Sequence, residues 1–367
     1  MQAVSYLPRS KKRDDVSIKM LKKNLLQKPK REIIKESNLL STGSTLLNLA
    51  CSGNPRGGLL KGKYYLLVGD SASGKTALSL TMLAEASINH EFDNYRLIHD
   101  DIEGGNLFKI RNLFGRTLAR RIEKPADEPS NTIEDMYYNV DDALEKDKPF
   151  IYIVDSMDGL QSKADDIKFE EQKKAHRKQK ESAGSFGTVA KINSTNLRRL
   201  MTPLAKTKSL LVIISQTRDN LGFGFDPKTR SGGRAMKFYA TLEIWSSIKK
   251  KITKTVRGKT IPIGIIAKLQ VKKNRLTGVD RVVEVPIYYS VGFDDTGSCI
   301  DYLIEMKHWS QSGQTIHAKE FKFRGTRDKL IRRIEVRNLY FRLQNIVGGV
   351  WSEVEESCRV KRKSRYE

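Results

Sequence analysis

The octapeptide Gly69-Asp70-Ser71-Ala72-Ser73-Gly74-Lys75-Thr76 satisfies GxxxxGK[ST] at every fixed position. Those residue types suit one task, holding a chain of phosphates. Glycines let the main chain curl until successive N–H groups face anionic oxygens. A helix starting directly behind the loop adds the positive end of its dipole. In such a loop the lysine, here Lys75, reaches the β- and γ-phosphates, and the hydroxyl, here Thr76, ligates Mg²⁺. The context fits: the apolar run Tyr64–Val68 precedes the loop and the helix-like TALSLTMLAEAS follows it. A chance glycine loop is the alternative, and that context disfavours it.

A second feature is the apolar run Phe150–Val154, closed by Asp155 and Ser156. A carboxylate ending a buried strand can hold the Mg²⁺ shell beside a phosphate loop. The same Asp-Ser pair would also cap a helix. Hydrolysis further needs a group that aligns or deprotonates water. The cluster His99-Asp100-Asp101-Ile102-Glu103 follows the strand-like Tyr95–Ile98. Glu103 is the candidate base, Asp100 and Asp101 are its rivals, and His99 is assigned to packing.

These groups need a scaffold. Tyr64–Val68, Tyr95–Ile98, Phe150–Val154 and Leu210–Ser215 read as buried strands, separated by helix-length segments at Lys75–Asn89, Thr132–Lys146 and Val189–Lys206. Strand–helix alternation predicts an α/β fold with a mostly parallel central sheet. After Lys237 the chain is strand-rich. Ala240–Ser246, Ile263–Lys273 and Arg281–Tyr288 predict a β-hairpin extension, with a turn near Thr277-Gly278. Two segments interrupt the pattern. Lys163–Glu181 is charged and helical in propensity, and Asn220–Gly233, rich in glycine and holding Pro227, predicts a loop.

Lys and Arg total 67 against 43 Asp and Glu, a net charge of +24 over 367 residues. Such an excess favours a polyanionic partner, because cationic surfaces steer phosphate backbones. Cys51, Cys299 and Cys358 are far apart and form no CxxC pair, which points away from zinc and from a disulfide framework, and toward a reducing compartment. No apolar run approaches the ~20 residues of a membrane span, and the first residues have no apolar core, so neither membrane insertion nor a secretory signal is expected.

In this order the motifs resemble the RecA family of DNA strand-exchange proteins, in its bacterial and phage branch. The resemblance runs from Ser41-Thr42-Gly43-Ser44 through the phosphate loop, Asp101-Ile102-Glu103, Val154-Asp155-Ser156 and Ile214-Ser215-Gln216. Its most specific string is Gly232-Gly233-Arg234-Ala235-Met236-Lys237-Phe238-Tyr239-Ala240-Thr241, similar to the family's GGxALKFYAS. Val271-Lys272-Lys273-Asn274-Arg275 resembles its VKNK segment. Coverage extends from about Leu40 to Ile304.

The resemblance implies a RecA-type P-loop ATPase core at residues 41–304. Outside it, residues 1–40 read as a basic N-terminal arm, either solvated or docking on a neighbouring subunit (an oligomerisation region) or on DNA, and 305–367 as a small C-terminal region whose tail is basic where the family's is acidic. ATP and Mg²⁺ are the implied cofactors. Glu103 would activate water, Gln216 would sense the γ-phosphate, and Lys273 and Arg275 would reach ATP on the adjacent subunit. Arg218, Phe223, Phe225, Lys228 and Arg230 would bind DNA, with a first DNA loop within 182–191. The implied activity is DNA-dependent ATP hydrolysis, with homologous pairing and strand exchange by a helical filament on single-stranded DNA. Double-stranded DNA, mediator proteins and single-strand-binding proteins would be further partners, and the location cytoplasmic. A ring helicase of the same superfamily and a non-hydrolysing DNA-coating accessory protein are the alternatives. There are departures. No aromatic residue stands where the family stacks adenine after its glutamate, leaving Phe108 as a candidate, and Lys163–Glu181 reads as an insertion.

Overall fold

The computed structural model describes residues 34–104, 110–125, 128–146, 148–177, 188–219, 228–230, 232–362 and 365, with main chain alone at 174–177, 188, 218–219 and 228–230. Phe108, Phe223, Phe225, most of the N-terminal arm and most of the proposed first DNA loop lie outside the described residues. Glu36–Glu367 form one compact unit.

Its centre is a ten-stranded sheet. Following a short pair of β1 (Leu39–Leu40) and β2 (Leu59–Leu60), five parallel strands lie in the order β3 (Tyr64–Gly69), β7 (Leu210–Asp219), β6 (Phe150–Asp155), β4 (Arg96–Asp101) and β5 (Ile122–Glu123). On the other side of β3 comes β9 (Leu242–Val256), also parallel to it, then antiparallel β10 (Lys259–Asn274), β11 (Val282–Tyr288) and β12 (Gly292–Phe293). β8 (Lys228–Arg230) pairs only with β7.

The inner strands are buried on both faces, as a covered parallel sheet requires. Their side chains alternate between two cores with period two. Tyr65, Leu67, Ile151, Ile153, Val212 and Ile214 join the core beneath α2 (Lys75–Ile88). Tyr64, Leu66, Val68, Tyr152, Val154 and Ile213 meet α5 (Ile133–Glu145) and α7 (Thr188–Thr207) on the opposite side. Thr132 caps α5 with a reciprocal bond to Asp135, which fixes where that helix begins. The first core continues into the C-terminal third. Cys299, Ile300 and Leu303 of α9 (Asp295–Glu305), Leu330 and Ile334 of α10 (Arg327–Val336) and Leu343, Val347 and Val350 of α11 (Tyr340–Ser357) pack with Leu46, Leu47 and Leu49 of α1 (Thr45–Ser52).

The expected strands and helices of the core are present within a few residues, including a helix at Lys163–Arg177, here α6. The expected loop at Asn220–Gly233 lies mostly outside the described residues, and its described part holds β8, which pairs with β7. The hairpin is the main difference. Sequence reading ends its first strand at Ser246, but β9 runs to Val256 and returns through Arg257 and Gly258, both at positive φ (50° and 75°). A turn with positive φ at both central residues matches the twist of the flanking strands. The added stretch, Lys249-Lys-Lys-Ile-Thr-Lys-Thr-Val256, is exposed and polar and so carries no buried-strand signal.

Candidate nucleotide-binding site

The parallel strands deliver every proposed phosphate-site residue to one edge. Gly69 sits in register with Gln216 of β7 and Ser246 of β9, and Asp101 with Asp155. Ligands in open α/β sheets gather at the carboxyl ends of the strands, where the connections diverge. β3 occupies that point, between strands that arrive from later in the chain.

The loop after β3 is shaped by close approach. A Cβ on Gly69 would stand 2.3 Å from the Ser246 carbonyl oxygen. Gly74 adopts φ 91°, and a Cβ there would meet Ile287 Cδ1 at 2.6 Å. Ser246 Oγ donates to the Ser73 carbonyl at 2.7 Å, pinning the loop to β9. Behind the loop, α2 begins at Lys75 with no side-chain cap, which leaves its first N–H groups available to a ligand.

Lys75 is 7% exposed, and its Nζ donates to the carbonyls of Gly69 at 2.9 Å and Asp70 at 2.7 Å. Burial lowers its pKa from the ordinary lysine value, opposed by the carboxylates of Asp155, Glu103, Asp158 and Asp70. A desolvated ammonium among carboxylates is a charge arrangement that phosphate and a divalent cation would complete. A cavity of about 340 Å³ opens here, lined by Ala72–Ala77, Asp101, Glu103 and Asp155 on its polar side. Leu113, Phe114, Ile265, Ile287, Tyr288 and Tyr289 form its apolar wall. The first side offers polar groups suited to phosphates, and the second an apolar surface suited to a nucleobase. Among the described residues no trio of His, Cys, Asp or Glu forms a metal cage. A cation here would rely on Thr76, Asp155, phosphate oxygens and water, which is how Mg²⁺ is commonly held.

Glu103 stands at the mouth as a hydrogen-bond hub. Its Oε1 accepts from Ser156 Oγ at 2.6 Å and from Gln216 Nε2 at 2.9 Å. Its rival Asp100 is fully buried and accepts from the Ser130 N–H at 2.9 Å, Ser130 Oγ at 2.6 Å and Tyr152 Oη at 2.8 Å. Those bonds spend Asp100 on holding the loop before α5. Asp101 lines the cavity beside Glu103. His99 is buried with Nε2 3.7 Å from Asp155 Oδ2, a pair that is ionic only when the imidazole is protonated.

Two expected residues stand elsewhere. Lys273 Nζ donates to the Lys237 carbonyl and, at 2.9 Å, to that of Phe238; Arg275 Nη2 donates to Phe238 O at 2.7 Å. Both thus grip the end of α8 (Arg234–Tyr239), and neither lines the cavity of its own chain. Arg218, Lys228 and Arg230 fall on the β7–β8 ribbon, where Thr217 pairs with Arg230, Arg218 with Thr229 and Asp219 with Lys228.

Sequence reasoning passed over three contributors. Ser156, read as part of a strand-end string, orients Glu103. Asp158 accepts the Gln216 N–H at 2.6 Å, and the Thr217 hydroxyl donates to Asp70. The apolar wall comes from segments far apart in the chain and had no local signal beyond the missing aromatic after Glu103.

A parallel sheet with a glycine-shaped loop, a buried lysine and facing carboxylates at its carboxyl edge defines the P-loop class of α/β proteins. Comparison with known proteins narrows this. A family model described as the RecA N-terminal domain matches residues 151–294. Protein RecA of Malacoplasma penetrans is 27% identical over 325 residues, spanning 85% of this chain and 88% of that protein. Protein RecA of Latilactobacillus sakei is 27% identical over 82% of this chain and 78% of its own, and that of Enterococcus faecalis 27% over 83% and 82%. Proteins named RecA are thus similar to this chain over about four-fifths of its length, and the RecA N-terminal domain model matches its middle part.

Proposed function

We propose that the protein is an ATP-dependent DNA recombinase. It would assemble as a helical filament on single-stranded DNA, pair that strand with homologous double-stranded DNA, and exchange strands. The observation that carries this reading is the hub at Glu103, where one carboxylate oxygen is shared by the Walker-type strand end and by the residue that opens the β7–β8 ribbon. A group placed so can respond to nucleotide and to DNA together.

Lys75 would exchange its two loop carbonyls for phosphate oxygens, and the free N–H groups at the start of α2 would join it. Thr76 and Asp155 would hold Mg²⁺, which when bound neutralises phosphate charge as a Lewis acid. Glu103 would orient water for in-line attack and accept its proton. Gln216 would turn its amide toward the γ-phosphate and carry the change into the ribbon bearing Arg218, Lys228 and Arg230. Lys273 and Arg275 would act on the nucleotide of an adjoining protomer, where a cation supplied in trans is worth roughly 10³–10⁵ in rate. Phosphate contacts made by the ribbon would be independent of sequence, so homology would be read by base pairing.

Purified full-length protein tests this directly. ATP turnover should rise on adding single-stranded DNA, electron micrographs with ATP and that DNA should contain filaments, and a labelled homologous strand should be transferred. Turnover indifferent to DNA, or protein that stays monomeric with both ligands present, refutes the proposal.

A further inference from the structure

The end of β7 is held at a hinge. Its last pair with β3 is Gly69 with Gln216, and its first pair with β8 is Thr217 with Arg230. Between leaving the sheet and entering the ribbon, the chain is gripped by side chains from two other elements. The Gln216 N–H donates to Asp158 Oδ2 at 2.6 Å, and the Thr217 hydroxyl donates to Asp70 of the phosphate loop. Gln216 Nε2 is meanwhile bonded to Glu103 at 2.9 Å. A purely structural clasp would need no charge, yet two acceptors are carboxylates near the phosphate site. Both lie close enough to act on the Lys75 ammonium.

We infer that Asp158 and Asp70 are positioning residues that latch the Gln216–Thr217 hinge, and that the charge of a bound γ-phosphate releases it. This rests on the nucleotide-site reading given above. Phosphate oxygens drawn to Lys75 bring negative charge beside two half-buried carboxylates already sharing that lysine, and like charges at short range repel. The carboxylates then lose their hold on the hinge, and the ribbon adopts the arrangement that binds DNA. ATP and DNA are thereby coupled through one two-state element, and linkage demands that the coupling be reciprocal.

Charge and hydrogen bond can be separated at Asp158. Asp158→Asn keeps an oxygen that accepts the Gln216 N–H but carries no charge for phosphate to repel. Asp158→Ala removes the clasp altogether. The experiment measures affinity of full-length protein for a fluorescein-labelled oligo-dT, with and without a non-hydrolysable ATP analogue, while a fluorescent ATP derivative reports nucleotide binding. Wild type should bind the oligonucleotide at least about fivefold more tightly with the analogue, the lower end of usual couplings. Asp158→Ala should gain affinity without nucleotide, shrinking that ratio. Asp158→Asn should shrink it in the opposite way, by losing affinity with nucleotide present. Thr217→Val, which deletes the Asp70 bond, should behave as Asp158→Ala and serves if that variant fails to fold. A shift of Ala and Asn in the same direction, or a wild-type ratio in both despite bound nucleotide, overturns the latch. A wild type whose DNA affinity ignores nucleotide overturns instead the reading on which the latch rests.

Discussion

Helix α2 gathers carboxyl groups at both ends, under opposite conditions. At its N-terminal end Lys75 stands among Asp155, Glu103, Asp158 and Asp70, and the cavity opens onto them. Near its other end Glu85 is half-buried, hydrogen-bonded by Ser41 and close to Asp295. Asp295, fully buried at the start of α9, accepts from the Thr45 N–H at 2.6 Å, Thr45 Oγ1 at 2.7 Å and the Tyr340 hydroxyl. At this second site Asp295 is held by one amide and two hydroxyls, which ties α1, α9 and α11 together. At the first site the shared element is an ammonium that is itself short of solvent. Buried acids with full hydrogen-bond complements are structural, and acids arranged around a desolvated cation are poised for a ligand.

That contrast can be broken most sharply at Lys75. Lys75→Ala should cut ATP turnover by ~10³-fold or more, since it removes the principal phosphate partner from an electrostatic site. Its melting temperature should not fall, because a costly buried charge leaves with it. Steady-state turnover and a thermal melt check both. Glu103→Gln should slow hydrolysis by roughly 10²-fold or more, the span of general-base effects, while nucleotide binding by fluorescence titration is retained. Undiminished turnover would hand the role to Asp101. At the opposite end of α2, Asp295→Ala should leave turnover at 25 °C intact yet cost about 3 kcal/mol of stability, since each buried donor left unpaired costs ~1–3 kcal/mol. Chemical denaturation measures that loss.

The smallest effect is in pH. Burial raises the carboxyl pKa of Glu85, and likewise of Asp295. The folded chain therefore keeps protons that the unfolded chain releases above the ordinary carboxylate pKa of ~4. Stability from these groups is complete below that value and drains away as pH rises through their raised folded values. Melting temperature should fall as pH rises above the ordinary carboxylate range, and Glu85→Gln should flatten part of that slope, by about 1 kcal/mol for each unit of pKa shift removed. An equal slope in the variant would place the titration elsewhere.

Much of the architecture was legible because covered parallel strands leave short apolar runs and the intervening helices leave 3.6-residue periodicity. Tyr64–Val68 and Phe150–Val154 announce themselves that way, within a residue of the observed strands. The phosphate loop was legible because its glycines answer to local geometry. Asp158, Thr217 and the wall of Phe114 and Tyr289 were not, since their roles depend on which distant segment the fold brings alongside. The preference for Glu103 over Asp100 had no physical ground in the run of acids itself. That ground emerges only when Ser130 and Tyr152 claim one and Ser156 and Gln216 meet the other.

The reach of β9 beyond the body has a separate consequence. It is flanked by β3 only as far as Ser246, and from Ser247 to Val256 its outer side has no neighbouring strand among the described residues. A bare row of main-chain donors and acceptors invites strands from other molecules. Lys249, Lys250, Lys251 and Lys254 crowd that stretch with like charge. Such lysines repel an approaching copy of themselves, so at modest ionic strength the arm guards the protein against precipitating through this long strand.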